Sequence, residues 1–249
     1  MKNFTNIQFL NRLKLVNAVR FYYYRYNLLT KKALTFYQQF IQPGDLCFDI
    51  GANIGVKTDI FLRLGAKVIA VEPQKECCDF ILRHCKNGNL TVINKAVDAI
   101  IGYKDFWQSE ANALSTLSQE WIASVKQSGR YSDFQWKNTF KVQTTILDEL
   151  IRQFGCPVFC KIDVEGYEWQ VLKGLSQPIP FLSFEFNPET ISSTLKCIDY
   201  LKRFSIVRYN FSSEAQGMWF SKWLNDNELL EYFDKHDNNI YGDVYARMV

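Results

Sequence analysis

A mostly parallel β-sheet covered by helices on both faces is the architecture that this 249-residue chain predicts. Three observations point there. An apolar stretch, Leu46-Cys-Phe-Asp-Ile50, runs directly into Gly51-Ala-Asn-Ile-Gly55, and a second one, Val68-Ile-Ala-Val71, ends on Glu72-Pro73. Beyond residue 43, short apolar runs alternate with segments of helical periodicity, the pattern of strand–helix–strand crossovers. With 47% apolar and 22% charged residues, the chain has the makeup of a globule able to bury a full core.

Residues 1–43 read as a basic N-terminal helical cap. They hold Lys2, Arg12, Lys14, Arg20, Arg25, Lys31 and Lys32, no acid, and the run Phe21-Tyr-Tyr-Tyr-Arg-Tyr26. Since the whole chain carries a formal charge of only +3, the remainder is net negative. The expected arrangement packs the aromatics on the domain and leaves the Lys and Arg heads in water. The other use of such a segment is peripheral contact with a membrane or another anionic surface.

Residues 44–249 form the main domain. Its first strand is Leu46–Ile50, followed by a helix with Val56, Ile60 and Leu64 four apart that stops near Gly65. The second strand, Lys67–Val71, leads to a helix turning Cys78, Ile81, Leu82 and Cys85 inward and closed by Asn87-Gly88. The third strand is Leu90–Asn94. Residues 98–145 break the alternation. Tyr103–Trp107 and Phe140–Thr144 read as strands around a Ser- and Gln-rich insertion, whose length suits a cover over a site better than slack loop. Asp148 opens a short helix ending at Gly155, Val158–Ile162 is the fourth core strand, and Asp163–Glu168 starts another helix. Pro180–Phe186 is the fifth. After it Asn187-Pro188-Glu189 opens a helix with a cap, a first-turn proline and an acid at the positive end of the dipole. Ile191, Leu195, Ile198 and Leu201 mark that helix's buried stripe. Ser205–Phe211 and Tyr241–Val249 complete a seven-stranded sheet, with a polar helix near Asn227–Lys235 between them.

Several classes are excluded by composition. No apolar run approaches the roughly 18 residues needed to cross a bilayer, and the N-terminus lacks a signal-peptide pattern, so a cytoplasmic protein is expected. The seven cysteines are odd in number, and Cys47 and Cys160 fall inside apolar strands, which predicts free buried thiols. Only His84 and His236 are present and no C-x-x-C pair, so no zinc site is expected.

The glycine turn is wrong for a dinucleotide, because G-x-G-x-x-G counted from Gly51 would need glycine where Asn53 and Val56 stand. Asp49-x-Gly51-x-Asn53-x-Gly55 instead follows the D/E-x-G-x-G-x-G pattern of methyltransferases that use S-adenosylmethionine. Asn53 replaces the middle glycine, a mild change because Asn tolerates left-handed backbone. Cys160-Lys-Ile-Asp-Val-Glu-Gly-Tyr-Glu-Trp-Gln-Val-Leu-Lys-Gly174 is similar to the signature K-I-D-V-E-G-x-E-x-x-V-L-x-G of the FkbM family of methyltransferases. Also in place are Glu72-Pro73, Thr145-x-Leu147-Asp148 and Glu185 at the end of the fifth strand. The resemblance covers essentially everything after residue 43, though the basic arm and the insertion at 108–138 match no family motif. It implies a Rossmann-like class I methyltransferase that binds S-adenosylmethionine and methylates a hydroxyl, commonly on a sugar or a polyketide.

The residues suit that role. Gly51 to Glu72 is the separation with which nucleotide folds set a carboxylate on a ribose, and Glu72 can accept both ribose hydroxyls. Gly51, Asn53 and Gly55 face the methionine end of the donor, Lys95-Ala96 meet the adenine edge through backbone groups, and Asp49 steadies the turn. Asp163 lies at the carboxyl end of the fourth strand, where open α/β sheets place their sites. It is the expected base or orienting group for an acceptor hydroxyl, with Glu165 and Glu185 gripping the acceptor. Glu168 is expected to act on its helix dipole. These acids could instead hold Mg²⁺ or Ca²⁺, but no second ligand set accompanies them and no metal is expected.

A nucleic-acid amino methyltransferase would carry Asn/Asp-Pro-Pro-aromatic where this chain has Asp163-Val-Glu-Gly166, and acids there repel phosphates. The expected partner is therefore a small-molecule or glycan acceptor, not nucleic acid. The alternative from another class is a non-catalytic binding or scaffold protein retaining the fold. An intact glycine turn, ribose acid and rim carboxylates speak against it. The sequence is silent on oligomeric state.

Overall fold

The computed structural model describes residues 16–23, 25, 28–213, 218–235 and 241–249. After a helical stretch at residues 16–23, the chain runs through α1 (Leu28–Tyr37), β1 (Leu46–Ile50), α2 (Val56–Arg63), β2 (Lys67–Val71), α3 (Lys75–His84), β3 (Leu90–Ile93) and β4 (Ala96–Val97). It continues with β5 (Gly102–Gln108), α4 (Gln119–Gln127), β6 (Asn138–Thr145), α5 (Leu147–Phe154), β7 (Phe159–Ile162), α6 (Glu168–Lys173) and β8 (Phe181–Phe186). The last elements are α7 (Ile191–Leu201), β9 (Val207–Ser213), β10 (Met218–Trp219), α8 (Asp226–Lys235) and β11 (Gly242–Met248).

The main sheet has the order β10-β9-β11-β8-β7-β1-β2-β3. Strands β3, β2, β1, β7 and β8 are parallel, while β11 runs antiparallel between β8 and β9. This is the Rossmann-like class I methyltransferase layout, with one difference from the predicted seven strands. Two-residue β10 adds an eighth strand at the β9 edge, and a strand that short leaves no hydrophobic period to read. The predicted strands around the insertion stay out of this sheet. They pair antiparallel as β5 and β6, and β4 joins β6 to make a separate three-stranded sheet.

Period-two alternation sorts the sheet's side chains onto two faces. Phe48, Ile50, Cys160, Ile162, Leu182 and Phe184 pack under α5, α6 and α7. Cys47, Val68, Ala70, Phe159 and Tyr245 pack under α1, α2 and α3. All seven cysteines are free, and Cys47 and Cys160 are fully buried. Two predicted helix stripes shift. Cys78, Ile81 and Cys85 are buried as expected, but Leu82 is 54% exposed, and Cys77 and Phe80 join the buried stripe of α3. Leu195 is 38% exposed, and Thr194 and Cys197 join the expected Ile198 and Leu201 in the buried stripe of α7. In both helices a sulfur or hydroxyl residue fills the core where the pattern favoured leucine. The helix expected from Asp163 begins only at Glu168, because Glu165 and Gly166 both have positive φ.

Aromatic residues anchor the N-terminal segment on the second face. Phe21 is 1% exposed and meets Phe80 edge-on at 5.5 Å between ring centroids, while the Tyr22 hydroxyl lies 3.1 Å from His84 Nδ1. The Arg25 guanidinium lies 3.3 Å from Asp59. From α1 and the turn after it, Phe36, Tyr37 and Phe40 pack on Phe159, Phe61 and Tyr245. Residues 1–15, 24 and 26–27 of the expected cap lie outside the described residues. Among the described residues, no helix is long and apolar enough to cross a membrane. Truncating the buried ring in Phe21→Ala removes this anchor, so trypsin is expected to cut after Arg20 and Arg25 several-fold faster than in the wild type. An unchanged cleavage rate would mean that Phe21 does not hold the segment down.

Candidate active site

Strand order reverses between β1 and β7, and the loops leaving their carboxyl ends diverge there to open a crevice. Gly51 (φ 79°), Asn53 (φ 49°) and Gly55 (φ 81°) give the β1 loop its tight left-handed course. At Gly51 the requirement is absolute, since a Cβ there would fall on the backbone carbonyl of Asp163. The turn is tied to β2 by Gly51 N–H and Ala52 N–H donating to the Val71 carbonyl at 2.9 and 3.2 Å. Asn53 N–H donates to Glu72 Oε2 at 2.9 Å, so the acid after β2 also holds the glycine turn.

A cavity of about 360 Å³ occupies the crevice. Asp49, Gly51, Asn53, Glu72, Lys95 and Ala96 all line it, as do Asp163 and Glu165. Gly55 and Glu185 are not on its wall. Gly55 lies behind, packed toward Ile81 and Cys85, where it starts α2. Glu185 stands back from the cavity with its carboxylate within 4.8 Å of those of Asp163 and Glu165. These three acids form the one cluster of potential metal ligands among the described residues.

Burial sets the acids' protonation. Asp49 is pushed up to about 6, chiefly by burial, against the 2.6 Å hydrogen bond it accepts from the Thr58 hydroxyl. Burial raises Glu72 to about 7, although Gln74 N–H and Asn53 N–H both donate to it and oppose the rise. Burial also drives Glu165 and Glu185 well above the usual carboxylate range. The Asp163 charge adds to this for Glu165, as does the Glu165 charge followed by that of Asp163 for Glu185. Glu168 reaches about 7 for the same main reason, and it accepts from Val164 N–H at 3.1 Å and Gly166 N–H at 3.3 Å. Its work is to fasten the loop that carries Asp163 and Glu165.

That loop is also held from outside. The Thr116 hydroxyl donates to the Glu165 carbonyl at 2.8 Å, and the Trp121 ring presses on Gly166 so closely that a Cβ there would overlap it. Both residues belong to the insertion, and the Ser118 hydroxyl caps the helix of Trp121 by accepting from its N–H at 3.0 Å. The insertion further supplies Asn112 and Ser115 to the cavity wall. There Gln74 Nε2 bridges the Asn112 carbonyl (3.0 Å) and Glu72 Oε1 (3.1 Å).

A family model described as the methyltransferase FkbM domain matches residues 49–212, well over half of the chain. The chain belongs to the FkbM methyltransferase family. As such it takes its methyl group from S-adenosylmethionine. No curated protein matches the chain. Among solved structures, it is similar to the O-methyltransferase from Bacillus cereus in complex with SAH, at 12% identity and a TM-score of 0.45, covering 97% of this chain and 90% of that one. It is also similar to the precorrin-6y C5,15-methyltransferase from Geobacter metallireducens GS-15, at 12% identity and a TM-score of 0.45, covering 88% and 87%.

The cavity of this FkbM methyltransferase fits such a donor. Left-handed glycine backbone leaves its wall bare beside Asp163, and one strand away stands the buried carboxylate of Glu72, whose Oε2 accepts from Asn53 N–H alone while Oε1 takes both Gln74 donors. Sequence reasoning gave Lys161 no definite role and missed Asp243, Gln74 and Thr58. Lys161 is fully buried, with Nζ 2.7 Å from Asp243 and 3.3 Å from Asp163, and β1 sets Asp49 directly beside it. Its signal was visible: a lysine inside the apolar run Val158–Ile162 has to find a carboxylate.

Two outcomes test this electrostatic arrangement. Lys161→Met strands two carboxylates against each other and is expected to cost about 3–5 kcal/mol in denaturant unfolding; a loss below ~1 kcal/mol would show that the pairing is idle. Burial moves Glu72 from its ordinary value of 4.5, kept in the unfolded chain, to about 7 in the folded protein. The folded state therefore holds the extra proton between those values, so this contribution is complete below pH 4.5 and lost as pH rises through about 7. Stability should drop by ~3 kcal/mol across that window through this group, and Glu72→Gln should flatten the drop. Parallel pH profiles for the two proteins would contradict the assignment.

Proposed function

We propose that this methyltransferase moves the methyl group of S-adenosylmethionine to a hydroxyl of a small-molecule or glycan acceptor, a sugar or polyketide-like alcohol. The observation that carries the reading is Asp163, a partly exposed carboxylate on the cavity wall, backed against Gly51 and braced by Lys161. The bound donor supplies an electrophilic methyl on a sulfonium. The Gly51–Gly55 turn takes its methionine end, Glu72 its ribose hydroxyls, and the backbone of Lys95 and Ala96 its adenine edge. Asp49 stiffens the turn through Thr58.

Asp163 accepts the proton from the acceptor hydroxyl as the oxygen takes the methyl group. Lys161 holds Oδ2, which fixes the carboxylate's rotation and leaves Oδ1 for the acceptor. Glu165 lies on the cavity wall with Glu185 behind it, and burial raises both well above the ordinary carboxylate range, which favours the neutral form that can donate as well as accept. Asp163 and Glu165 side by side on the wall suit the neighbouring hydroxyls of a polyhydroxylated ligand. A nucleic-acid acceptor is disfavoured, since its phosphates would face Asp163 and its neighbours.

The test incubates the enzyme with isotopically labelled S-adenosylmethionine and separate panels of nucleotide sugars, glycans, macrolide alcohols, ribosomal RNA and transfer RNA. Mass spectrometry should find a methyl ether on a hydroxylated acceptor; product confined to RNA bases would overturn the reading. On the acceptor so found, Asp163→Ala is expected to lower turnover at least ~100-fold while S-adenosylhomocysteine affinity stays within a few-fold. Wild-type turnover in that variant would remove Asp163 from the chemistry.

A further inference from the structure

The N-terminal segment does more than pack. Arg20, Thr30 and Ala33 reach the wall of the same cavity as Gly51 and Asp163, so the basic arm completes the site. Arg20 sits next to Phe21, the buried residue that pins its helical stretch, and five residues before Arg25, which pairs with Asp59. Its backbone is therefore placed by its neighbours, while its own side chain is exposed. No hydrogen bond or ion pair joins Arg20 to a described residue, yet its charge is felt at Glu165.

The cavity wall is otherwise rich in acid, with Asp49, Glu72, Asp163 and Glu165. Such a wall suits the ammonium of the donor's methionine part but repels its carboxylate. The cavity offers three cations: Arg20, Lys57 and Lys95. Lys95 follows β3, beyond β2 from the glycine turn. Lys57 stands in the first turn of α2 and has a partner within the protein. A guanidinium matches a carboxylate with two parallel hydrogen bonds.

We propose that Arg20, delivered by the docked N-terminal helix, binds the methionine carboxylate of S-adenosylmethionine and closes the donor end of the cavity. This rests on the donor pocket described above. An anionic acceptor offers Arg20 the same chemistry, and two probes separate the sources. S-adenosylhomocysteine has the amino-acid tail, whereas 5′-methylthioadenosine keeps the adenosine and sulfur without it.

Titration calorimetry of the full chain should show Arg20→Ala weakening S-adenosylhomocysteine by about 10- to 100-fold, the range of a lost charge-assisted hydrogen bond. Binding of 5′-methylthioadenosine should stay within about twofold, and Arg20→Lys should recover part of the loss. Arg20 is exposed, so an unchanged melting temperature serves as the folding control. Unaltered S-adenosylhomocysteine affinity overturns the proposal, even if an acceptor's KM rises. So does an equal loss for both ligands. If the wild type binds neither ligand, the donor pocket itself fails, a result distinct from failure at Arg20 alone.

Discussion

The contact on which the site depends is the one between Gly51 and the Asp163 carbonyl. Strands β1 and β7 are neighbours, Asp163 N–H donates to the Ile50 carbonyl at 2.9 Å, and the chain then needs the space where any side chain at residue 51 would stand. Because the two loops touch backbone to backbone, the carboxylate of residue 163 is presented at the glycine turn instead of being held a side chain's width away. In the proposed function, a methyl donor lying on that turn would be within reach of a group able to take a proton. The sheet supplies the register and glycine supplies the approach.

Around that contact the protein assembles a closed electrostatic unit. Asp49, Lys161, Asp163 and Asp243 share one face of the sheet, and the buried Lys161 ammonium is divided between Asp163 and Asp243. Burial raises the proton affinity of Asp49, Glu72 and Glu168 toward neutrality. Two segments outside the core strands keep water from dissolving the arrangement. The insertion presses Trp121 and Thr116 onto the Asp163–Tyr167 loop, and the N-terminal helices lie over the face that carries the charged row. A second network, in which the Tyr167 hydroxyl donates to Asp98 at 3.1 Å and accepts from Lys104 at 2.7 Å, ties that loop to the small sheet.

Most of the fold was legible because its signals are local. Strands β1, β2 and β7 are short, mostly apolar runs, each carrying one charged residue (Asp49, Lys67, Lys161), and Gly65 and Gly155 stop helices at the expected places through positive φ. Glu72 was readable from spacing, and the Asp163 loop from its resemblance to a known signature. What escaped depends on partners distant in sequence. Asp243 reaches Lys161 only because β11 inserts between β8 and β9. Gln74 matters because the insertion folds back to give it the Asn112 carbonyl. Leu82 misled because a helix's buried stripe is set by the surface it meets, and α3 meets that surface through Cys77 and Phe80. Glu185 was assigned to the rim from its strand end, whereas it stands behind Asp163 and Glu165.

A crystal structure of the protein with S-adenosylhomocysteine is the most direct test. The ribose hydroxyls should rest on Glu72, the sulfur should lie on the Gly51 turn facing Asp163, and open space for an acceptor should remain between them. A ligand lodged away from residues 51–55 and 72, or one whose sulfur points away from Asp163, would contradict the placement of the chemistry at this crevice.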